Sequence, residues 1–254
     1  MVVAQAADEH SPKASNQQNK AQQKQQYIEI LRSQVRGLLR EGNLKGALSL
    51  LDSEIAKDRA NTELYLLRAS VYCFAEQLVA CDNDVSRAIA ADPNFVAAYL
   101  YRALVRLDLH QIRDALSDCE TAVRLAPDLP APYNCRGMVY RSMRDFATAI
   151  SEFELALRKD AKFAPAHFNK GVTYAMQNQR DAALASFSAA IELDATHDDW
   201  FLERGKVLVA KAEIAAGRAD FAKALALNDQ NITAAASLQA LQVAEALDVL
   251  SGKK

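Results

Sequence analysis

The stretch AHFNKGVTY at residues 166–174 recurs along the chain as LYLLRASVY at 64–72, AYLYRALVR at 98–106, APYNCRGMVY at 131–140 and WFLERGKVL at 200–208. A ring-bearing residue recurs in these stretches every 34 residues, as Tyr65, Tyr99, Tyr133, His167 and Phe201. A small residue follows each ring four positions later, as Ala69, Ala103, Gly137, Gly171 and Gly205. A fixed period of this length is typical of repeat proteins.

Each repeat unit contains two amphipathic segments of about 14 residues separated by a short polar break, which predicts a helical hairpin. One hairpin cannot bury its own apolar face, so consecutive hairpins are expected to stack. The composition agrees, because the 254 residues include 48 alanines but only 8 glycines and 6 prolines. A β-sandwich or barrel would need more turn residues and more β-branched residues.

The pattern resembles the tetratricopeptide repeat family. The fourth unit carries the family's aromatic and small residues at Tyr133, Gly137, Tyr140, Ala149, Phe153 and Ala156. The resemblance implies an all-α fold, a right-handed superhelical solenoid of helix-turn-helix repeats with a C-terminal capping helix.

We expect six units within residues 27–231, flanked by a disordered, polar, Gln-rich tail over 1–26 and a capping helix over 232–254 with a wet outer face. The unit boundaries are 28–61, 62–95, 96–129, 130–163, 164–197 and 198–231. In the sixth unit, Gly217 stands where the second helix should place alanine. The pattern therefore predicts a turn displaced toward Gly217 and a shortened second helix around 221–227.

The N-terminus leaves the compartment open. Ala4-Gln5-Ala6 resembles the end of a secretory signal, but only Val2 and Val3 supply apolar residues before it. As written, the chain is expected to be cytoplasmic; a signal truncated upstream of Ala7 would make it periplasmic or otherwise exported. No apolar window is long enough for a transmembrane segment.

Charge and cysteine spacing narrow the class of function. The net charge of −2 and the isoelectric point near 6.1 argue against a general affinity for nucleic acid. Four cysteines, at 73, 81, 119 and 135, match no CxxC or zinc-ligand spacing. Buried, unpaired cysteines are the main expectation, and disulfides are the alternative.

Patterns that carry catalysis are missing from the sequence. The four histidines match no metal-ligand spacing, and no glycine-rich phosphate loop or GxSxG motif occurs. His167 is interpreted as a packing residue, and Asp198-Asp199 as a helix start. We therefore expect a non-enzymatic protein without cofactor or metal.

The resemblance implies that binding takes place in the concave groove lined by the first helix of each hairpin. The groove positions are Arg32, Arg36, Arg40, Leu66, Ser70, Phe74, Leu100, Leu104, Leu107, Asn134, Met138, Arg141, Phe168, Val172 and Met176. Because most are apolar, the expected partner is an apolar or amphipathic segment of another protein. Alternatively, the chain's own tail or a second copy covers the groove.

Arg32, Arg36 and Arg40 place three positive charges on one helix face, where an acidic peptide end could dock. The alternative is a solvated face partly neutralised by Glu29 and Glu41. Chaperone-binding members of the family use a Lys and Asn arrangement that this sequence does not reproduce, since Leu67 replaces an expected Asn.

Two charged columns follow the repeat period. The bases are Arg68, Arg102, Arg136, Lys170 and Arg204, and the acids are Asp84, Asp118 and Glu152. We expect each acid to pair with the base 18 residues later, on the next hairpin. The alternative is a stripe that binds phosphate.

The sequence therefore predicts a scaffold that binds a peptide or protein segment. One alternative is an exported bacterial envelope or assembly factor that uses the same groove. A second is an RNA-binding helical repeat, although that class has a nominal 35-residue period and a basic groove.

Overall fold

The protein is helical throughout most of the range that the structure, a computed structural model, describes, which is residues 12–250. Thirteen helices occupy that range: α1 Pro12–Arg40, α2 Leu44–Lys57, α3 Thr62–Phe74, α4 Leu78–Ala91, α5 Val96–Asp108, α6 Ile112–Leu125, α7 Pro130–Ser142, α8 Phe146–Lys159, α9 Ala164–Met176, α10 Arg180–Leu193, α11 Asp198–Ala210, α12 Ile214–Leu227 and α13 Ile232–Leu250.

Successive pairs of helices, from α1–α2 to α11–α12, correspond to the six repeat units and are numbered hairpins 1 to 6. The two helices pack on each other in hairpins 1, 2, 4, 5 and 6. The first helices of hairpins 2 to 6 begin at residues 62, 96, 130, 164 and 198, so the 34-residue period of the sequence is also the period of the structure. The predicted all-α repeat fold is confirmed.

The chain divides into two compact bodies. The N-terminal body ends at Val105, and the C-terminal body begins at Arg106, within α5. In the N-terminal body, α3 packs on both α2 and α4. In the C-terminal body, each helix from α6 to α13 packs on the next one along the chain.

In hairpins 4 to 6, a glycine at the point where the two helices cross determines how closely these helices approach each other. A Cβ atom added to Gly137, Gly171 or Gly205 would lie 2.6–2.7 Å from the ring of the phenylalanine on the second helix, respectively Phe153, Phe187 and Phe221. These rings are buried, with exposures of 0, 0 and 3%. The phenylalanine ring therefore fills the space that the missing side chain leaves.

The turn between the two helices of each hairpin has a constant backbone conformation. One residue per turn adopts the left-handed region, with φ between 58° and 71°. These residues are Gly42, Glu76, His110, Arg144, Asn178 and Ala212. The conformation lets the chain reverse within three residues.

The ring-bearing residue at the start of each first helix anchors the preceding loop. The Tyr65, Tyr99 and Tyr133 hydroxyls donate to the backbone carbonyl six residues earlier, at 2.9–3.2 Å. His167 makes the equivalent contact, with its Nε2 atom 3.2 Å from the Ala161 carbonyl oxygen. The packing interpretation of His167 agrees with this geometry.

Ion pairs occur both between hairpins and within them. Lys170 on α9 pairs with Glu154 on the preceding α8 at 2.9 Å, although the expected acid was Glu152. Arg136 pairs with Glu152 at 2.9 Å, and Arg204 donates from Nε and Nη2 to both carboxylate oxygens of Asp220, each at 2.8 Å. In these two pairs the acid lies 16 residues after its base, so the predicted 18-residue pairing is wrong for Arg136. The antiparallel course of the two helices in a hairpin brings Arg136 level with Glu152, and Arg204 level with Asp220.

Arg68 shows that a base can also join successive hairpins. It binds Asp84 of its own hairpin at 2.6 Å and Asp52, on the preceding α2, at 2.5 Å. These carboxylates satisfy the guanidinium of Arg68, a residue that is only 8% exposed. Arg68 thus fixes the position of α3 relative to both second helices, and its role is structural.

The predicted tail is partly wrong. Helix α1 begins at Pro12, so residues 12–26 are helical, because glutamine, lysine and alanine favour extension of a helix that is anchored at Ile28 and Leu31. The remaining expectations for this tail, at residues 1–11, lie outside the described residues.

The sixth hairpin is regular, and its predicted displaced turn is wrong. Helix α12 has its full length, and Gly217 packs so closely on α11 that a Cβ atom there would lie 2.6 Å from Val209. Helix α13 packs through Leu238 and Leu241 on the cluster around Phe221. Its outer face is more apolar than expected, since Val243 is 52% exposed.

The cysteines form two disulfides, which corrects the expectation of unpaired thiols. Cys73–Cys81 joins the two helices of hairpin 2, and Cys119–Cys135 joins α6 to the first helix of the next hairpin. The sequence spacings of 8 and 16 residues do not indicate which cysteines pair, because the pairing depends on which helix faces meet.

We predict that Gly171→Ala lowers the free energy of unfolding by about 1–3 kcal/mol, because Phe187 has no room to move. Urea denaturation provides the measurement. Gly37→Ala is the matched control: no neighbouring atom would lie within 4 Å of the added Cβ atom, so this change should raise stability by up to about 1 kcal/mol. Equal effects of the two substitutions would contradict the packing account.

A double-mutant cycle on Arg204→Gln and Asp220→Asn should give a coupling energy of about 1–3 kcal/mol, because the pair is bidentate and mostly buried. The exposed pair Lys206–Glu203 serves as the control, with an expected coupling below about 0.5 kcal/mol. Strict additivity at Arg204 and Asp220 would show that the observed contact does not stabilise the hairpin.

Candidate functional site

The first-helix face of the C-terminal body is the surface formed by α7, α9 and α11. These first helices of hairpins 4, 5 and 6 contact one another directly, α7 with α9 and α9 with α11. Side chains from successive hairpins therefore meet on this face, which makes it the candidate site.

A polar network crosses from α7 to α9 on this face. Arg141 Nη1 donates to Asn169 Oδ1 at 2.9 Å, and Asn169 Nδ2 donates to Asn134 Oδ1 at 3.0 Å. Thr173 donates to the Asn169 carbonyl oxygen at 2.8 Å. Asn134, Asn169 and Thr173 are all buried, so the network holds Arg141 in a defined orientation.

Arg141 is a cation in a poorly solvated position. Burial lowers the pKa of its guanidinium below the ordinary value, although arginine stays charged at neutral pH. Among the described residues 12–250, no carboxylate forms an ion pair with it. Removal from water without a counter-ion raises the free energy of a charge, so an anion at this position would be stabilised.

Aromatic side chains form a second cluster, which includes residues of α9 and α11. The Phe168 ring stacks on Trp200 of α11, with centroids 5.4 Å apart, and also contacts Phe187 at 5.6 Å. The His197 ring stacks on Trp200 as well, with centroids 4.2 Å apart. Phe168 is half-buried, so it serves both the core and the surface.

The remaining predicted groove residues of this body differ in exposure. Leu107, Met138 and Val172 are half-buried, and the last two also pack on core clusters. Met176 is 51% exposed, at the end of α9. The apolar surface that remains accessible is therefore smaller than the sequence pattern indicated.

In the N-terminal body, the predicted groove residues are spread over α1, α3 and α5. Leu66 and Leu100 are half-buried, whereas Leu104 and Ser70 are exposed. Phe74 is 68% exposed, and it follows the disulfide residue Cys73 directly.

The basic residues of α1 form no common site with one another. Arg32 pairs with Glu29 at 2.5 Å and with Glu63 at 3.4 Å. Arg36 and Arg40 are exposed. This arrangement favours the solvated face over a docking site for an acidic peptide end.

Two residues that complete the site escaped the sequence reasoning. Asn169 takes a position that Leu67, Tyr101 and Cys135 occupy in earlier units, so an amide among less polar residues was the available signal. Trp200 is the single tryptophan of the chain, but its burial (4% exposed) depends on Phe168 of another hairpin.

The described part of the chain offers neither a metal centre nor a membrane span. Over residues 12–250, no group of three or more His, Cys, Asp or Glu side chains could hold a metal ion. Within the same range, no helix has the length and apolar character needed to cross a membrane.

Comparison with known proteins identifies the repeat. Residues 164–197, the fifth hairpin, match the family model described as tetratricopeptide repeat. No curated protein matches the chain at a significant level.

Solved structures share the fold at low sequence identity. A tetratricopeptide repeat protein of Thermus thermophilus, TTC0263, is 20% identical, with a TM-score of 0.65; the match covers 72% of this chain and all of that one. Yeast Tom70 is 16% identical, with a TM-score of 0.66, over 82% of this chain and 46% of that one.

The Cut9–Hcn1 hetero-tetramer of APC/C contains a chain 17% identical, with a TM-score of 0.65, over 84% of this chain and 42% of that one. This chain thus spans less than half of the Tom70 and Cut9–Hcn1 chains that it matches. The family model identifies the fifth hairpin as a tetratricopeptide repeat, and the 34-residue structural period and these solved structures show that the chain has the tetratricopeptide repeat fold.

Proposed function

We propose that the protein is a non-enzymatic scaffold that binds a peptide segment of a partner protein on the first-helix face of its C-terminal body. The observation that carries the proposal is the junction of α7 and α9, where Asn169 holds Arg141 in a poorly solvated position and α9 also carries the half-buried Phe168 and the exposed Met176. A charged group oriented beside apolar side chains is typical of a recognition site.

The fold supports this proposal in general terms, because tetratricopeptide repeats are a protein-interaction fold. The assembly named Cut9–Hcn1 is one in which a similar fold takes part in a multi-protein complex. The partner is expected to combine apolar side chains with a polar or charged group, to match the face.

A displayed peptide library tests the proposal. Peptides enriched on the intact chain should lose at least about tenfold in affinity for Met176→Glu, because the change places a charge on the exposed apolar part of the face. Leu193→Glu is the matched control: Leu193 is 41% exposed but lies on the second helix α10, so its substitution should leave affinity within about twofold. Failure to enrich any peptide, or equal losses in both variants, would contradict the proposal.

We also propose that the scaffold works in an oxidising compartment, as an exported envelope or assembly factor would. The two disulfides support this, since such bonds persist in secreted and periplasmic proteins and are rare in the cytosol. The buried positions of Cys81, Cys119 and Cys135 indicate that these bonds belong to the structure and not to a surface thiol exchange.

The disulfide proposal predicts that purified protein labels with maleimide at four thiols only after denaturation and reduction. Substituting Cys119→Ala and Cys135→Ala together should lower the free energy of unfolding by about 3 kcal/mol, from the lost constraint on the unfolded chain. Labelling of the unreduced, denatured protein, or unchanged stability of the double variant, would show that the bonds do not form.

A further inference from the structure

The hydrogen-bond donors of Arg141 are only partly used. Its Nη1 atom contacts Asn169 twice, through Oδ1 at 2.9 Å and through the carbonyl oxygen at 3.4 Å. Its Nε and Nη2 atoms have no hydrogen-bond partner among residues 12–250. A guanidinium presents its donors as a planar fork that matches the two oxygens of a carboxylate.

Three other arginines on first helices use their guanidinium groups to bind carboxylates. Arg68, Arg136 and Arg204 each bind a carboxylate of their own hairpin, at 2.6, 2.9 and 2.8 Å. Arg141 has no such partner in the described chain, and burial lowers the pKa of its guanidinium. Its guanidinium therefore lacks the carboxylate partner that each of these three arginines has.

Asn134 adds a second donor at the same place. Its Oδ1 atom accepts from Asn169, and its Nδ2 atom has only the Met138 sulfur as a partner, at 3.9 Å, among the residues that the structure describes. A thioether is a weak acceptor, so this amide can donate to a better one. The two donors are fixed relative to each other through Asn169, which links both side chains.

We propose that Arg141, oriented by Asn169 and assisted by Asn134, binds the carboxylate of an aspartate or glutamate side chain within the partner segment. This inference rests on the proposed function and names the chemistry that the first-helix face selects. A net favourable ion pair is expected because burial has already removed part of the solvation of the cation, and Asn169 orients it before the ligand arrives.

The acidic side chain is expected inside the segment, with apolar residues before and after it. Met138 precedes Arg141 by one turn on α7, and the exposed Met176 follows Asn169 by two turns on α9. A segment that covers both methionines must continue past the guanidinium in both directions. A chain end seated on Arg141 would leave one of these apolar side chains uncovered.

The test uses three synthetic peptides and the intact protein. The first is Gly-Ser-Leu-Ala-Glu-Leu-Ala-Ser-Gly with acetylated and amidated ends, the second replaces Glu by Gln, and the third is the Gln peptide with a free C-terminal carboxylate. Affinities are measured by fluorescence anisotropy. The Glu peptide should bind at least about tenfold more tightly than either Gln peptide, as charge-assisted hydrogen bonds imply.

Two variants localise the effect. Arg141→Gln should abolish the preference for the Glu peptide while the two capped peptides keep their residual, equal affinity. Arg158→Gln removes the same charge from an exposed position on the second helix α8 and should leave the preference intact. Matching circular dichroism and thermal midpoints for the variants establish that the fold is retained.

The outcomes separate this inference from the proposed function. Equal binding of both capped peptides to the first-helix face, or a preference that survives Arg141→Gln, overturns the carboxylate site alone. A preference for the free C-terminus also overturns it, in favour of a chain-end site. If neither capped peptide binds the intact protein, the result also contradicts the proposed binding of apolar segments.

Discussion

The close approach of two helices within each hairpin is the constraint on which the rest of the structure depends. In hairpins 4 to 6, glycine on the first helix leaves space that a buried phenylalanine on the second helix fills. Because a helix crossing at this distance tolerates no added methyl group, both helices are fixed along their length. The ion pairs 16 residues apart then form without further adjustment.

The candidate site follows from this fixed geometry. Once α7 and α9 are each held by their own second helices, their facing side chains have defined separations, and Arg141 meets Asn169 at 2.9 Å. The network is thus positioned by the backbone of two hairpins and not by a flexible loop, which is the condition for selective recognition. In hairpin 2, Val85 stands in place of the phenylalanine and the Cys73–Cys81 disulfide joins the two helices. In hairpin 3, Cys119 stands in that place and forms a disulfide with Cys135 of the next hairpin.

Much of this could be predicted from the sequence, and the limits have physical causes. The period of the rings at Tyr65 to Phe201 predicted the hairpins and their first residues, because each repeat solves the same packing problem. Pairing between residues could not be predicted in the same way. The choice of Glu152 as the partner of Arg136, and the union of Cys119 with Cys135, depend on which faces of two helices meet.

The left-handed turn residues show how far the chain is from its highest attainable stability. Five of the six described hairpin turns place a side chain where glycine would be unstrained, among them Ala212 and Glu76. At roughly 1 kcal/mol for each of these residues other than Asn178, which tolerates this region, the described turns retain about 4 kcal/mol of backbone strain. In repeat arrays each hairpin is stabilised by its neighbours, so the opening of one hairpin destabilises the next. Substitutions at the left-handed turn residues could therefore change the stability of the array in small steps.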